Sequence, residues 1–240
     1  VTQGTDTIEE TSFVLDLLCP PEKPVVVTGA MRNASMAGAD GPANILAAVR
    51  VAASEQARGV GTVVVFGEEI HAARWVRKTH SSSPMAFTSY PGPIGYVAED
   101  RVTFWTRPVT HRPLPCEQVG PNVRTALATL TLGDDGIALE ALGSCLDGLV
   151  VAGFGAGHAP LACVETLTKL ANAMPVVLAS RTGAGPVLTS TYGFPGSESD
   201  LLSRGLLSAG TLDPVKARVL LHLLLLTGAD APEIARRFAQ

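Results

Sequence analysis

A hydroxyl and a carboxylate stand side by side in Gly4-Thr5-Asp6-Thr7, where the tail of a strand (Val1, Thr2) runs into a helix predicted over Ile8 to Leu18. Thr7 and Glu10 match the Thr-x-x-Glu capping box that opens helices. In open α/β sheets ligands bind at the carboxyl ends of strands, and a helix N-terminus favours anionic groups. An alcohol attacks a carbonyl, or activates a water, when a neighbouring base takes its proton. A lysine can be that base where burial disfavours its charged form, and a carboxylate beside it fixes its position. Lys78, in the polar stretch Lys78-Thr79-His80, is the candidate partner. The residues alone leave a plainer reading open, with Thr5-Asp6-Thr7 a helix cap and Lys78 a solvated cation.

The elements that would carry these groups alternate in period. Pro24 to Thr28 reads as a short buried strand ending at Gly29-Ala30-Met31-Arg32, and Thr62 to Phe66 as the next. Between them Asp40-Gly41-Pro42 opens a helix to about Glu55, with Asp40 as its cap and Pro42 near its first position. A hairpin is expected from Ile94–Val97 and Arg101–Trp105, turning at Glu99-Asp100. Thr106 to Pro121 carries four prolines and no helical period, as a linker would. Beyond it strands are predicted over Thr125–Leu132, Leu149–Phe154 and Val176–Ser180. Helices are predicted over Pro160–Asn172, Pro214–Thr227 and Pro232–Phe238, and a loop over Thr182–Ser199. The expected fold is α/β in two domains, each a mostly parallel sheet flanked by helices. They would cover residues 1–105, incomplete at its start, and 122–240, with a Pro-rich linker over 106–121.

Composition narrows the function. The 240 residues carry a net charge of −4, with Lys and Arg scattered, so neither nucleic acid nor an anionic membrane is an expected partner. The apolar run Ala217–Leu226, broken by Arg218 and His222, falls short of the ~20 residues that span a bilayer and reads as a buried helix. Cys19, Cys116, Cys145 and Cys163 lack ligand or disulfide spacing and read as reduced buried thiols. His71, His80, His111 and His222 have no metal spacing, so no metal is expected. Trp75 and Trp105 read as packing residues. Gly153-Phe154-Gly155-Ala156-Gly157-His158 follows a strand, but its spacing is wrong for a dinucleotide loop and no acid ends the next strand.

Gly4-Thr5-Asp6-Thr7-Ile8-Glu9-Glu10-Thr11 resembles the second active-site signature of the bacterial-type L-asparaginases. The likeness continues in Lys23-Pro24-Val25-Val26-Val27-Thr28-Gly29-Ala30-Met31-Arg32, Ala39-Asp40-Gly41-Pro42-Ala43-Asn44 and Lys78-Thr79. It returns in Gly210-Thr211-Leu212-Asp213-Pro214 and Lys216-Ala217-Arg218-Val219-Leu220-Leu221. The resemblance implies hydrolysis of asparagine to aspartate and ammonia through a threonine acyl-enzyme, without cofactor. Thr5 would be the second of the family's two catalytic threonines and Lys78 its base. Asp6 would orient Lys78 and bind the substrate ammonium. Ala30 would line the side-chain amide pocket with its backbone. Glu198, and His158 where the family usually has Asn, would contact substrate in a neighbouring subunit of a homotetramer. Gln3 stands where the family often has His.

The family's other threonine lies in a Thr-Gly-Gly-Thr-Ile motif, which these 240 residues lack. It would precede Val1, as would any targeting signal, and the chain alone is expected to be inactive. The cytoplasm is the expected compartment. Rival readings are a glutaminase-asparaginase, the related subunit of the tRNA-dependent amidotransferase, disfavoured by the lack of a tRNA-binding insertion, and an inactive binding-only fragment.

Overall fold

A computed structural model describes residues 1–109, 113–115 and 122–239. His111, Cys116 and Pro121, and with them much of the expected linker, lie outside the described residues. The chain divides into two compact units, Val1–Pro115 and Cys116–Gln240.

The first unit carries a five-stranded sheet in the order β1 (Val25–Val27), β2 (Thr62–Phe66), β3 (Glu69–Ala72), β6 (Gly95–Ala98) and β7 (Arg101–Phe104). A separate pair joins β4 (Val76–Lys78) to β5 (Phe87–Ser89). Alternate side chains of β2 serve opposite faces, as the two-residue period requires. Val63 and Val65 pack with Ala47, Ala48 and Val51 of α2 (Gly41–Ala53). Val64 and Phe66 pack with Val27, Val76, Phe87 and Ile8, the first residue of α1 (Ile8–Leu18). Both faces are therefore sealed, and every residue of β2 is buried.

The expectation of a mostly parallel sheet needs correction in this unit. Among the strands of this sheet in the described residues only β1 and β2 pair in parallel, whereas β2–β3, β3–β6 and β6–β7 are antiparallel. For β2–β3 and β6–β7 the cause is connection length, because a two-residue link cannot carry the chain back to the start of a parallel neighbour. Gly67 and Glu68 join β2 to β3 with φ of 55° and 69°, the paired positive values of a type I′ hairpin turn. The hairpin turning at Glu99-Asp100 forms as expected.

In the second unit all four strands are parallel, in the order β11 (Leu207–Ser208), β10 (Val176–Ser180), β9 (Gly148–Gly153) and β8 (Thr125–Thr129). Each step to the next strand passes through a helix: α3 (Ile137–Gly143), α4 (Val164–Ala173), then α5 (Glu198–Ser203). On one face Leu149, Val151, Val176 and Leu178 pack with Leu139 of α3, Val164 and Leu167 of α4 and Leu201 of α5. The other face is covered by α6 (Pro214–Leu226), which packs on β8, β9 and β10. A Cβ at Gly148 would sit 2.8 Å from a Leu225 methyl, so α6 packs closely over this position. Asp213 caps α6 by accepting from the Val215 N–H, and α7 (Ala231–Phe238) follows. The apolar run Ala217–Leu226 is thus a packed helix, and no helix among the described residues is long and apolar enough to cross a membrane.

Several local expectations are revised. Thr5–Thr7 forms a turn of 3-10 helix ahead of α1, and Thr7 makes no side-chain cap because its hydroxyl accepts from the Gln3 amide. Of the thiols among the described residues only Cys163 is buried; Cys19 is half-buried and Cys145 exposed. Trp105 is 62% exposed and stacks on Tyr96 instead of entering the core. Within the expected linker, Leu114 is buried and its N–H donates to the Leu17 carbonyl, so this residue packs within the first unit.

Leu178 is fully buried at the centre of the second unit's sheet. Leu178→Ala is expected to cost about 2–5 kcal/mol, read by urea denaturation followed in the far-ultraviolet circular dichroism. A loss below about 1 kcal/mol would mean the position is not closely packed.

Candidate active site

The tail strand and β1 end together. Thr2 bridges Thr28 in parallel, the Thr28 N–H donates to the Val1 carbonyl, and the Gln3 N–H donates to the Thr28 carbonyl. A Cβ on Gly29 would lie 2.6 Å from the Gln3 carbonyl oxygen, so only glycine allows the two chains this close. Immediately beyond this contact the chain turns into the 3-10 segment, and Thr5 and Asp6 emerge on the crest.

Lys78 reaches them from the end of β4. Its ammonium donates to Thr5 Oγ1 at 3.0 Å and to Asp6 Oδ1 at 2.9 Å. The lysine side chain is 15% exposed whereas Asp6 is 96% exposed. The hydrogen bond from Lys78, then its charge, holds the Asp6 carboxyl below the usual carboxylate range. Three residues distant in sequence form a hydroxyl–amine–carboxylate cluster, with one acceptor open to water. The base is the neutral amine: once the ammonium has given up one proton, a proton passing from Thr5 to that amine would leave an alkoxide beside a site where a cationic substrate group can meet Asp6.

Ala30 lies on the exposed loop after β1, and its neighbours fix its backbone. Asp40 stands at the cap position of α2 but makes no cap hydrogen bond. Its carboxylate instead accepts from the N–H groups of Met31 and Arg32, both at 2.9 Å. Asn44, buried, donates to Asp40 Oδ2 at 3.1 Å and to the Gly29 carbonyl at 3.0 Å, and accepts from the Gly67 N–H at 3.1 Å. Burial works against ionisation of Asp40, but these backbone and amide donors outweigh it and hold its carboxyl low.

In the second unit the Gly153–His158 turn closes on itself. Both the Gly157 and His158 N–H groups donate to the Phe154 carbonyl, so they are not open to a phosphate. The turn presents His158, whose Nε2 lies 3.2 Å from Glu198 Oε2. Glu198 had been expected in a loop. It is the first residue of α5 and is fully buried, with Oε1 accepting from the N–H groups of Thr191 (2.9 Å) and Tyr192 (2.8 Å). Desolvation opposes its charge, yet these backbone donors and His158 keep the carboxyl below its ordinary value. His158 is 22% exposed and meets the rings of Tyr192 and Phe194 edge-on. Of this pair, the imidazole is the part that reaches solvent.

Thr5, Asp6 and Lys78 are thus brought together, Ala30 belongs to the same unit, and His158 and Glu198 pair in the other. The remaining described histidines hold local structure. His71 bonds Ser89 (2.9 Å), His80 accepts from the Ser82 and Ser83 N–H groups, and His222 meets Thr125. Among the described residues no three His, Cys, Asp or Glu gather as metal ligands would. Asn44 is a site-building residue that the sequence reading passed over. Its spacing of four from Asp40, one helical turn, is the signal that could have found it.

Because the folded state lowers the Asp40 pKa, the stability it contributes is complete above the unfolded carboxyl value of about 3.9 and is lost as pH falls through the folded value. Asp40→Asn is therefore expected to destabilise the protein at pH 7. The gap between the two proteins should narrow below about pH 4 in denaturation midpoints taken across pH. A gap independent of pH would contradict the ionised role.

The family profile described as "Asparaginase, N-terminal" matches residues 1–110, and "Glutaminase/Asparaginase C-terminal domain" matches residues 124–238. A Deinococcus radiodurans protein named "Probable L-asparaginase" is 41% identical over 247 residues, covering 100% of this chain and 74% of its own. "L-asparaginase 2" of Escherichia coli is 32% identical, with 100% of this chain and 69% of its own covered. The crystal structure of a "Probable Cytoplasmic L-asparaginase" from Campylobacter jejuni superposes with a TM-score of 0.89 at 35% identity, covering 100% of this chain and 74% of that one. Two matching profiles and relatives of this likeness show that the chain belongs to the asparaginase family.

Proposed function

We propose that the intact gene product carrying this chain hydrolyses the side-chain amide of L-asparagine, giving L-aspartate and ammonia through a threonine ester. The observation that carries the reading is the Lys78 ammonium within 3.0 Å of the Thr5 hydroxyl and 2.9 Å of Asp6. The family membership and the names of the relatives support it.

In this reading a threonine oxygen attacks the amide carbon and its proton passes to a base; for Thr5 that base is Lys78 in its neutral amine form. The tetrahedral intermediate collapses as the leaving nitrogen takes a proton and departs as ammonia. Water then attacks the ester, releasing aspartate and returning the hydroxyl. Asp6, exposed beside the lysine, binds the substrate's α-ammonium, and the Ala30 backbone lines the amide pocket. His158 supplies a contact with substrate in a neighbouring subunit and Glu198 acts through it, because the glutamate's own oxygens are enclosed. We place this work in a homotetramer with shared sites and in the cytoplasm. The relatives' names divide on compartment, the Haemophilus influenzae protein being called periplasmic. Hydrolysis of glutamine is the second reading, favoured by the C-terminal profile, whose description names both enzymes.

The test is ammonia release from asparagine and from glutamine by the intact gene product. Thr5→Ala and Lys78→Met are each expected to lower kcat on asparagine by about 10²-fold or more. Either variant retaining the full rate would contradict the assigned roles.

A further inference from the structure

Lys78 is held at both ends. Besides the contacts of its ammonium, its backbone N–H donates to Glu9 Oε2 at 3.1 Å. Glu9 sits in the first turn of α1, directly after the segment that carries Thr5 and Asp6. One stretch of five residues therefore grips the lysine's amine and its main chain.

The second grip matters because of where Lys78 stands. β4 is three residues long and pairs with β5 alone, through Val76↔Ser89, Arg77↔Thr88 and Lys78↔Phe87. A two-stranded ribbon of this length is marginal by itself and does not inherit the register of the larger sheet. A lysine side chain adds four flexible carbons between the main chain and the charge. The α1 helix is anchored firmly, since Ile8 and Phe13 are fully buried. A carboxylate on its first turn that captures the Lys78 N–H ties the end of this short strand to the anchored helix.

We propose that Glu9 is a positioning residue for Lys78, setting the distance from the lysine's α-carbon to the Thr5 oxygen. The proposal rests on the role given to Lys78 under Proposed function. Holding the main chain leaves the amine little to search, so the hydroxyl and the base meet in reactive geometry before substrate arrives. A plainer role competes: an acidic residue in the first turn of any helix favours the positive end of its dipole. That role would stabilise α1 but would not touch the reaction.

Glu9→Gln and Glu9→Ala in the intact gene product separate the two roles. Gln keeps an acceptor oxygen without the charge, and Ala removes both. With Ala, kcat on asparagine is expected to fall about tenfold while KM stays within about twofold, because geometry and not affinity is lost. Exchange of the Lys78 amide proton, followed by NMR, is expected to accelerate in the Ala variant, and Gln is expected to restore both readouts. Unchanged kcat and exchange with Ala, or equal losses with Gln and Ala, would overturn the proposal. Should Ala fail to fold, Glu9→Asp takes its place. Asp is one carbon short of the N–H and is expected to lose kcat while Gln keeps it, and the reverse order overturns the proposal. A wild-type protein inactive on asparagine and glutamine would overturn the functional reading instead; the exchange rate still decides whether Glu9 holds Lys78.

Discussion

An ammonium group has three protons to give, and in Lys78 two of them go to Thr5 and Asp6. That contact constrains much of the first unit. The hydroxyl and the carboxylate must project from the same turn, which follows from the 3-10 segment opening directly off a strand end. The strand end must sit against β1, which requires Gly29 to have no side chain. The lysine must arrive from a different element, so β4 needs its hairpin with β5 and a tie to α1. Each requirement falls on backbone placement, and only the last few ångströms belong to side chains.

Carboxylates do two kinds of work here, told apart by what lowers their pKa. Asp40 and Glu198 are held low chiefly by backbone N–H groups against a desolvation cost. Such a group is a fastener: its oxygens are occupied, and it fixes the Met31–Arg32 and Thr191–Tyr192 loops. Asp6 is held low by a lysine while facing water, so its remaining lone pairs stay available. The first fastener shapes the loop that displays Ala30, and the second holds the half-buried His158 by a direct contact at 3.2 Å.

Legibility followed the length and regularity of the pattern. The buried β2 run, the Pro-led helices and the hairpin at Glu99-Asp100 have strong local signals, and their positions agree with the structure. The meeting of Thr5 with Lys78 had no local signal, since 72 to 73 positions separate the partners. Residue chemistry alone leaves it one of two readings, and the family resemblance favours it. Lys78 itself read as polar loop because Val76-Arg77-Lys78 is too short and too charged to show alternation. Glu198 hid inside a Gly/Ser/Pro-rich stretch whose six-residue helix is below the length that periodicity detects. Asp40 invited a capping assignment by position alone, but the Met31 and Arg32 N–H groups compete for its carboxylate and win. The sheet direction in the first unit turned on the two-residue Gly67-Glu68 link, a feature easily lost between two apolar runs.

The central claim is that Thr5 and Lys78 act as one unit. A double-mutant cycle on kcat/KM for asparagine, comparing Thr5→Ala, Lys78→Met and the combined variant, tests it most directly. The account predicts that the combined variant is no slower than the slower single one, because either change already breaks the pair. Losses that multiply would show that the two residues act independently and would contradict it.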